Sequence, residues 1–548
     1  MDSRAHRITS QSRPKLTGLV VDLSHRFRHL KKAVALCMAV AVLPNSGVAQ
    51  AVCLPIERID VAGVTQFSAQ DASAWVDDYQ GRCLAVSEFD EILERITTAY
   101  IEAGFILSRA YLPEQDLSDG QLDLSVVEGE LAKIRINGQE QPSWSANLFP
   151  GQIGKPVNLR DVEQGLDAIQ DMPRWSAEMA FESGEKAGET VLDITAVTSK
   201  KTQLKFTSNN QGTDESGQWI TGLSLDSSNL FGRNETWEIG GTRSLSPGPI
   251  SFHYDGDINR SGYLRLKFPY GRNTFKISRS WSDYRLTIPG TISPIPTHGY
   301  THGQAFQWKR QTYRDQTNKQ NITVDLDVST NANFIQGTYI NASSRRLATL
   351  KLTYGDEGPA FGGQLTRSFS FDFGLPNFGA EHSSNQPVGA PNAQYKRIVV
   401  VYDFEKPLTF WGQKVNWAST FKAQFSTDRL YGGQQFSIGG LSTVRGSRIA
   451  LARGSSGILW RNELALPLNN QAHPIFGRFK AYWGVDVGSV TPQSDLQVVG
   501  GAALGHAIGL SATDGQMDFD FSYQRILKTS SHLQKPDAEW MISIGFKV

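Results

Sequence analysis

From about residue 201 to the end of the chain, apolar residues recur at every second position. Leu223-Ser224-Leu225-Asp226, Tyr263-Leu264-Arg265-Leu266-Lys267-Phe268, Ile322-Thr323-Val324-Asp325-Leu326-Asp327-Val328 and Met517-Asp518-Phe519-Asp520-Phe521 all read this way. Successive side chains of a strand point to opposite faces, so the pattern sets an apolar face against a polar or charged one. The last segment is the clearest case, with Trp540, Ile542, Ile544, Phe546 and Val548 on one side and Met541, Ser543, Gly545 and Lys547 on the other. A soluble sandwich alternates in the same way, but about 350 residues of strand pattern without a helix favour closure into a membrane all-β barrel, with one face to lipid and one to the lumen. About 16 antiparallel strands of ~10 residues would use roughly 160 residues and leave the remainder for turns and outer loops. The Gly/Pro-rich stretches Pro289 to Gly303 and Pro376 to Asn392 are loop candidates.

The front half follows another rhythm, two copies of a βααββ pattern that predict small α+β modules. In the first, Ile56 to Ala62 alternates as a strand and Ser68 to Tyr79 has helical spacing. Ser87-Glu88-Phe89-Asp90 reads as a capping box for a second helix carrying Phe89, Ile92, Leu93, Ile96 and Tyr100 on one face, which Gly104 ends. Strands at Leu107 to Leu112 and Gln121 to Val127 complete it. The second copy opens at Ala132 to Ile136, caps its helix with Asn158, and closes with strands at Arg174 to Phe181 and Thr190 to Val197. The predicted organisation is a signal peptide over 1–51, modules over 52–130 and 131–200, and a barrel over 201–548.

Composition narrows the classes. The 548 residues carry 54 Lys+Arg and 54 Asp+Glu with 39% hydrophobic residues, which excludes a disordered chain and a helical membrane protein but not a barrel. The one strongly apolar run, Ala33 to Leu43, follows Lys31-Lys32 and a basic leader, and is too short to span a bilayer. Ala49-Gln50-Ala51 supplies a small-x-small cleavage pattern, so export is expected and the mature chain begins near Val52. Cys53 and Cys83 are then the mature cysteines in an oxidising compartment; a disulfide is the simplest reading and two unpaired thiols the alternative. Charge is uneven: residues 52–200 hold 11 basic and 26 acidic side chains, against 35 and 26 over 201–548, which suggests two regions of different character.

Candidate chemistry is sparse. Gly500-Gly501-Ala502-Ala503-Leu504-Gly505 fits no nucleotide fingerprint in a strand-to-helix setting, and neither a Walker sequence nor a serine-hydrolase elbow is present. The 10 histidines are scattered without metal-ligand spacing. Neither an enzyme, a cofactor, a metal nor a nucleic-acid partner is expected, there being no basic helix or aromatic-basic module.

Several short motifs in a fixed order add a resemblance. Cys53-Leu54-Pro55-Ile56 opens the first module and Val127-Glu128-Gly129 closes it. Phe268-Pro269-Tyr270-Gly271 follows, then Ser282-Asp283-Tyr284, Val444-Arg445-Gly446 in a Gly-rich loop, and Gly484-Val485-Asp486-Val487-Gly488 on a late strand. In this order the chain resembles the two-partner secretion transporters (TpsB), whose paired modules are POTRA domains. The resemblance implies an outer-membrane channel that secretes a haemolysin-, adhesin- or toxin-type exoprotein without nucleotide hydrolysis, its POTRA domains in the periplasm binding the unfolded partner by β-augmentation. It also implies that Val444, Arg445 and Gly446 form a loop tip folded into the lumen, with Arg445 meeting Asp486 between Gly484 and Gly488. On residue pattern alone, Arg445 is a loop arginine and Asp486 a lumen carboxylate.

Many members of that family carry a plug helix before the first POTRA, whereas here Cys53 follows the cleavage pattern almost directly. The chain ends in Val548 rather than an aromatic, with Phe546 on the same face as the assembly signal. The expected partners are the unfolded exoprotein, outer-membrane lipid and, during biogenesis, the barrel-assembly machinery and periplasmic chaperones. Leu107, Ser108, Arg109, Ala110, Tyr111 and Leu112 are the expected cargo-docking strand. The rival readings are an outer-membrane protein assembly factor, which shares POTRA modules and the arginine loop, and a porin, in which the paired modules would have no role.

Overall fold

A computed structural model describes residues 53–214, 216–245, 258–291, 293–385, 389–410, 412–468, 471–492 and 500–548; the expected signal peptide over 1–51 lies outside them. Pro55–Val548 forms one compact unit, and of the unit before it, Met1–Leu54, only Cys53 and Leu54 are described.

The first module is a mixed sheet in the order Arg58–Ala62, Gln121–Val127, Arg109–Tyr111, the first pair parallel and the second antiparallel. Two helices, Ala69–Val76 and Val86–Glu102, accompany it. Ser68 caps the first with a reciprocal box to Asp71. The second begins earlier than its sequence signature suggests. Its N-cap is Ala85, whose amide is taken by Glu88 at 2.8 Å, so Ser87 sits inside the first turn rather than capping it. Phe89, Ile92, Ile96 and Tyr100 are buried from that helix, and Gly104 ends it at φ +97°.

The Val-Glu-Gly motif ties this module together. Glu128 accepts from the amides of Thr65 (2.8 Å) and Gln66 (3.2 Å), from the Thr65 hydroxyl and from Tyr100 (2.6 Å). Partial burial works against its charge, but these donors outweigh it and hold the carboxyl below its ordinary range. Gly129 lets Leu107 approach: a Cβ there would lie 2.7 Å from the Leu107 Cβ.

The second module has Glu130–Ile136 parallel to Glu189–Thr198, which pairs in turn with the edge strand Trp175–Ser183. Helix Leu159–Gln170, capped by Asn158, buries Val162, Ala168 and Ile169 against that sheet.

Sixteen spanning antiparallel strands among the described residues, from Thr202–Asn209 to Glu539–Lys547, make a closed barrel. Leu204, Phe206, Leu223, Ile239, Trp540 and Phe546 are exposed around the outside, forming the lipid face. Met541 is buried and Lys547 pairs with Asp518 inward, as the alternation of the last strand predicts. The described residues of Pro376 to Asn392 lie between strands Gly363–Leu375 and Lys396–Phe410, outside any strand. Pro289 to Gly303 does not form the loop its composition suggests. The strand Ile295–Arg314 starts inside it and pairs as far as Ile288↔Ile295, so only 289–294 remain as a connection.

The second module sits on the barrel's short-turn end through complementary charge. Asp161 pairs with Arg272 (2.6 Å), Glu163 with Arg314 (3.0 Å), Asp167 with Lys319 (2.7 Å) and Arg314, and Asp171 with Lys267 (3.3 Å). Burial works against the charged form of Asp167, but the bonds from Arg314 and Lys319 outweigh it and keep its carboxyl low. The Phe-Pro-Tyr-Gly motif belongs to this junction: Gly271, at φ +53°, turns its amide onto the Asn147 carbonyl at 2.8 Å. Trp175 and Asn234 add bonds across it to Ser228 (2.9 Å) and the Trp144 carbonyl (2.8 Å).

Candidate functional site

Between strands Gln413–Phe425 and Gly457–Pro467 the chain makes its longest connection inside the barrel, residues 426–456. Part of it is a small hairpin, Phe436–Ile438 paired with Ala452–Gly454. Phe436, Ile438 and Val444 of this loop form one buried cluster with the wall residues Leu459, Val490, Ala503 and Ile526. A polar lumen face has here been made apolar where the loop presses against it, which fixes the loop by ordinary burial.

The tip is polar. Arg445 is 6% exposed and Asp486 fully buried. The guanidinium meets the carboxylate with two parallel bonds, Nε to Oδ2 at 2.7 Å and Nη2 to Oδ1 at 2.8 Å, and the Arg445 amide donates to Oδ2 at 3.0 Å. Its remaining nitrogen, Nη1, reaches Glu463 at 2.8 Å. Arg461 lies 3.6 Å from Asp486 and balances the second carboxylate. The tip is therefore an ionic knot whose central pair, Arg445 and Asp486, is removed from water while Glu463 and Arg461 are partly exposed around it, and fork-to-fork geometry between guanidinium and carboxylate is strongest in such a site.

Period-two spacing explains the flanking glycines. Gly484, Asp486 and Gly488 share the lumen face of strand Gly477–Val490. A Cβ at Gly484 would stand 2.0 Å from the Arg445 Nη2, and one at Gly488 2.7 Å from Ile438 and 2.9 Å from Val444. On the next strand a Cβ at Gly505 would stand 2.0 Å from the Arg445 carbonyl oxygen. Gly446 has φ +110° and sits against the backbone of Arg525, so the turn beyond the arginine admits no side chain. The wall is thinned at these positions so that the tip can lie against backbone.

Of the residues expected from sequence, Val444, Arg445, Gly446, Gly484, Asp486 and Gly488 are thus brought together. Cys53 and Cys83 are both disulfide-bonded. Phe546 is 44% exposed on the lipid side of the last strand. The expected docking strand is shorter than predicted: only Arg109, Ala110 and Tyr111 are strand, because Ser108 is buried and Leu107 packs against the second module's core. Leu112 lies beyond the strand's end, and the Ala110 amide is already taken by the Thr97 hydroxyl at 3.1 Å. Sequence reasoning missed Glu463, Arg461 and Gly505. Glu463 and Arg461 alternate on one strand, and Gly505 belongs to a Gly-rich run whose signal, a side-chain-free patch in a strand, was legible only as an absent nucleotide motif. Among the described residues no group of three or more His, Cys, Asp or Glu could hold a metal ion.

Comparison with known proteins agrees with this architecture. Residues 54–129 match a POTRA domain of ShlB type and 130–182 a second POTRA domain. The Outer membrane transporter CdiB of Escherichia coli O6:K15:H31 is 30% identical over 484 residues, covering 86% of this chain and 78% of that protein. The Hemolysin transporter protein ShlB of Serratia marcescens is 25% identical, covering 86% and 81%. The solved structure of CdiB from Escherichia coli superposes with a TM-score of 0.84 at 28% identity, over 92% of this chain and 93% of that one. Residues 188–512, more than half the chain, match Haemolysin secretion/activation protein ShlB/FhaC/HecB; the chain belongs to this family of outer-membrane two-partner secretion transporters.

Proposed function

We propose that this transporter moves one unfolded exoprotein from periplasm to exterior through its barrel, with the lumen loop as the gate that the cargo displaces. The reading rests on one observation: a loop tip held inside a closed barrel by the Arg445–Asp486 pair, in a chain whose two modules leave sheet edges open. The pair has full hydrogen bonding in place but no covalent tie, so it can hold one state and still exchange.

Capture is assigned to open sheet edges. Of Leu107 to Leu112, the edge expected from sequence, only the three residues Arg109–Tyr111 are strand. The opposite edge, Arg58–Ala62, is five residues long and borders a 330 Å³ groove lined by Ile59, Val61, Val64, Phe67, Ala72 and Val76. An extended segment added there would gain main-chain bonds from the edge and side-chain pockets from the groove. Trp175–Ser183, nine residues long, continues the path toward the barrel. Cytolysin, adhesin and contact-dependent toxin cargoes all fit this mode, which reads main chain first. Insertion of the barrel itself is assigned to the barrel-assembly machinery reading the last strand with Phe546 outward, after periplasmic chaperones deliver it. The capture assignment is tested by proline or aspartate substitutions along Arg58–Ala62: secretion should fall while barrel levels stay normal, and undiminished secretion rejects this edge.

A further inference from the structure

Three residues past the Asp486-bound arginine, the same loop touches the place where the barrel closes. Among the described residues the first and last strands share five register pairs, Lys205↔Lys547 to Asn209↔Ser543, whereas each other neighbouring pair of spanning strands shares eight or more. This seam is the least zipped line in the wall. Its ends are reinforced in two different ways.

At the short-turn end, Asp518 accepts from Lys205 of the first strand (2.9 Å) and from Lys547 of the last (2.6 Å). All three residues belong to the wall. At the outer end the reinforcement comes from the loop. Arg448 pairs its Nε with the carboxylate of Glu539, which begins the last strand, and directs Nη1 to the carbonyl of Asn210 (2.6 Å) and, at 3.4 Å, of Gly212, just past the first strand. Asn210 in turn bonds to Trp540 (2.8 Å) and Ile542 (2.9 Å) of the last strand. One guanidinium therefore spans both edges of the seam, and its position follows from that of Arg445, because three residues of chain reach about 10 Å at most.

We propose that Arg448 couples the lumen loop to the closure of the barrel: with the tip on Asp486 the outer half of the seam is stapled, and withdrawal of the tip frees that half while Asp518 keeps the inner half shut. Arg448 is a positioning residue in transport, and the loop is a seam lock as well as a plug. Passage of cargo through the lumen would then loosen the wall at one defined line.

The test is hydrogen–deuterium exchange of the full-length transporter in lipid nanodiscs, read separately at the outer amides (Asn209, Asn210, Ile542) and the inner ones (Leu204, Val548). Arg448→Gln and Arg445→Ala should each speed exchange at the outer amides by roughly tenfold or more, the loss of one charged hydrogen bond from a local opening, and leave the inner amides at the wild-type rate. Glu539→Gln, which removes only the anion of the staple, should reproduce the effect and serves if an arginine variant fails to assemble. Wild-type exchange at the outer amides in Arg445→Ala, or in both staple variants, overturns the coupling, as does an equal rise at both ends.

Discussion

Arg445 engages Asp486 through two guanidinium nitrogens and its own main-chain amide, at 2.7, 2.8 and 3.0 Å, with the carboxylate wholly out of water. Removing either partner leaves the other buried with only its secondary contact, Asp486 with Arg461 at 3.6 Å or Arg445 with Glu463 at 2.8 Å, so the loss stays below the roughly 3–5 kcal/mol of a wholly uncompensated buried charge. Arg445→Ala and Asp486→Ala should each release the loop, and the double variant should be less damaged than the sum of the two. Arg445→Lys should not rescue, because an ammonium cannot make the paired contact. Protease sensitivity of residues 426–456 in intact outer membranes reads the release directly.

The glycine wall gives a second, independent route to the same state. Gly484→Ala and Gly505→Ala each place a methyl 2.0 Å from the tip and should expel it with Asp486 intact. Gly432→Ala, in the same loop with nothing within 4 Å, should leave protease sensitivity unchanged. Equal behaviour of all three variants would mean that close packing does not hold the tip.

Acid should loosen the first module through Glu128. Its folded pKa is depressed, so its stabilisation is complete above the unfolded value of about 4.3 and is lost as pH falls through the lower folded value. Hydrogen exchange at Thr65 and Gln66 should therefore be slow at neutral pH and rise below about pH 4. Glu128→Gln should show faster exchange already at pH 7, with roughly 1.5–3 kcal/mol lost and little further pH dependence in this range.

Charge holds the second module on the barrel. Arg314→Ala removes the shared partner of Glu163 and Asp167 and should weaken the junction by roughly 1–3 kcal/mol. Spin labels at Glu178 and Gln413 should then report a broader distance distribution than in the parent protein. An unchanged distribution would assign the junction to its backbone and tryptophan contacts instead.

How far this was legible in the sequence differs from residue to residue. The last strand was legible because its alternation maps directly onto lipid and lumen, as Trp540 and Met541 illustrate. The uneven charge pointed to two regions, but not to the fact that helix Leu159–Gln170 turns Asp161, Glu163 and Asp167 onto Arg272, Arg314 and Lys319, contacts more than 100 residues apart. The composition of Pro289 to Gly303 predicts a loop because glycine and proline mark turns on average, whereas pairing of Ile295–Arg314 with Asn273–Ile288 overrides that preference. The Arg445–Asp486 contact was reached through family resemblance, since nothing in a single sequence brings a loop tip to a strand 41 residues away. The staple at Arg448 had no sequence signal, as its partners come from the segments at the first and the last strand of the barrel, Asn210 and Glu539.

The most direct test of transport is quantitative mass spectrometry of culture medium and periplasm from cells lacking this protein, complemented with the wild-type chain or with Arg445→Ala. One large exoprotein should vanish from the medium of the null strain, return with the wild type, and fail to return with Arg445→Ala at normal barrel levels. A general fall in outer-membrane proteins, or no change in any secreted protein, would contradict dedicated secretion through this barrel.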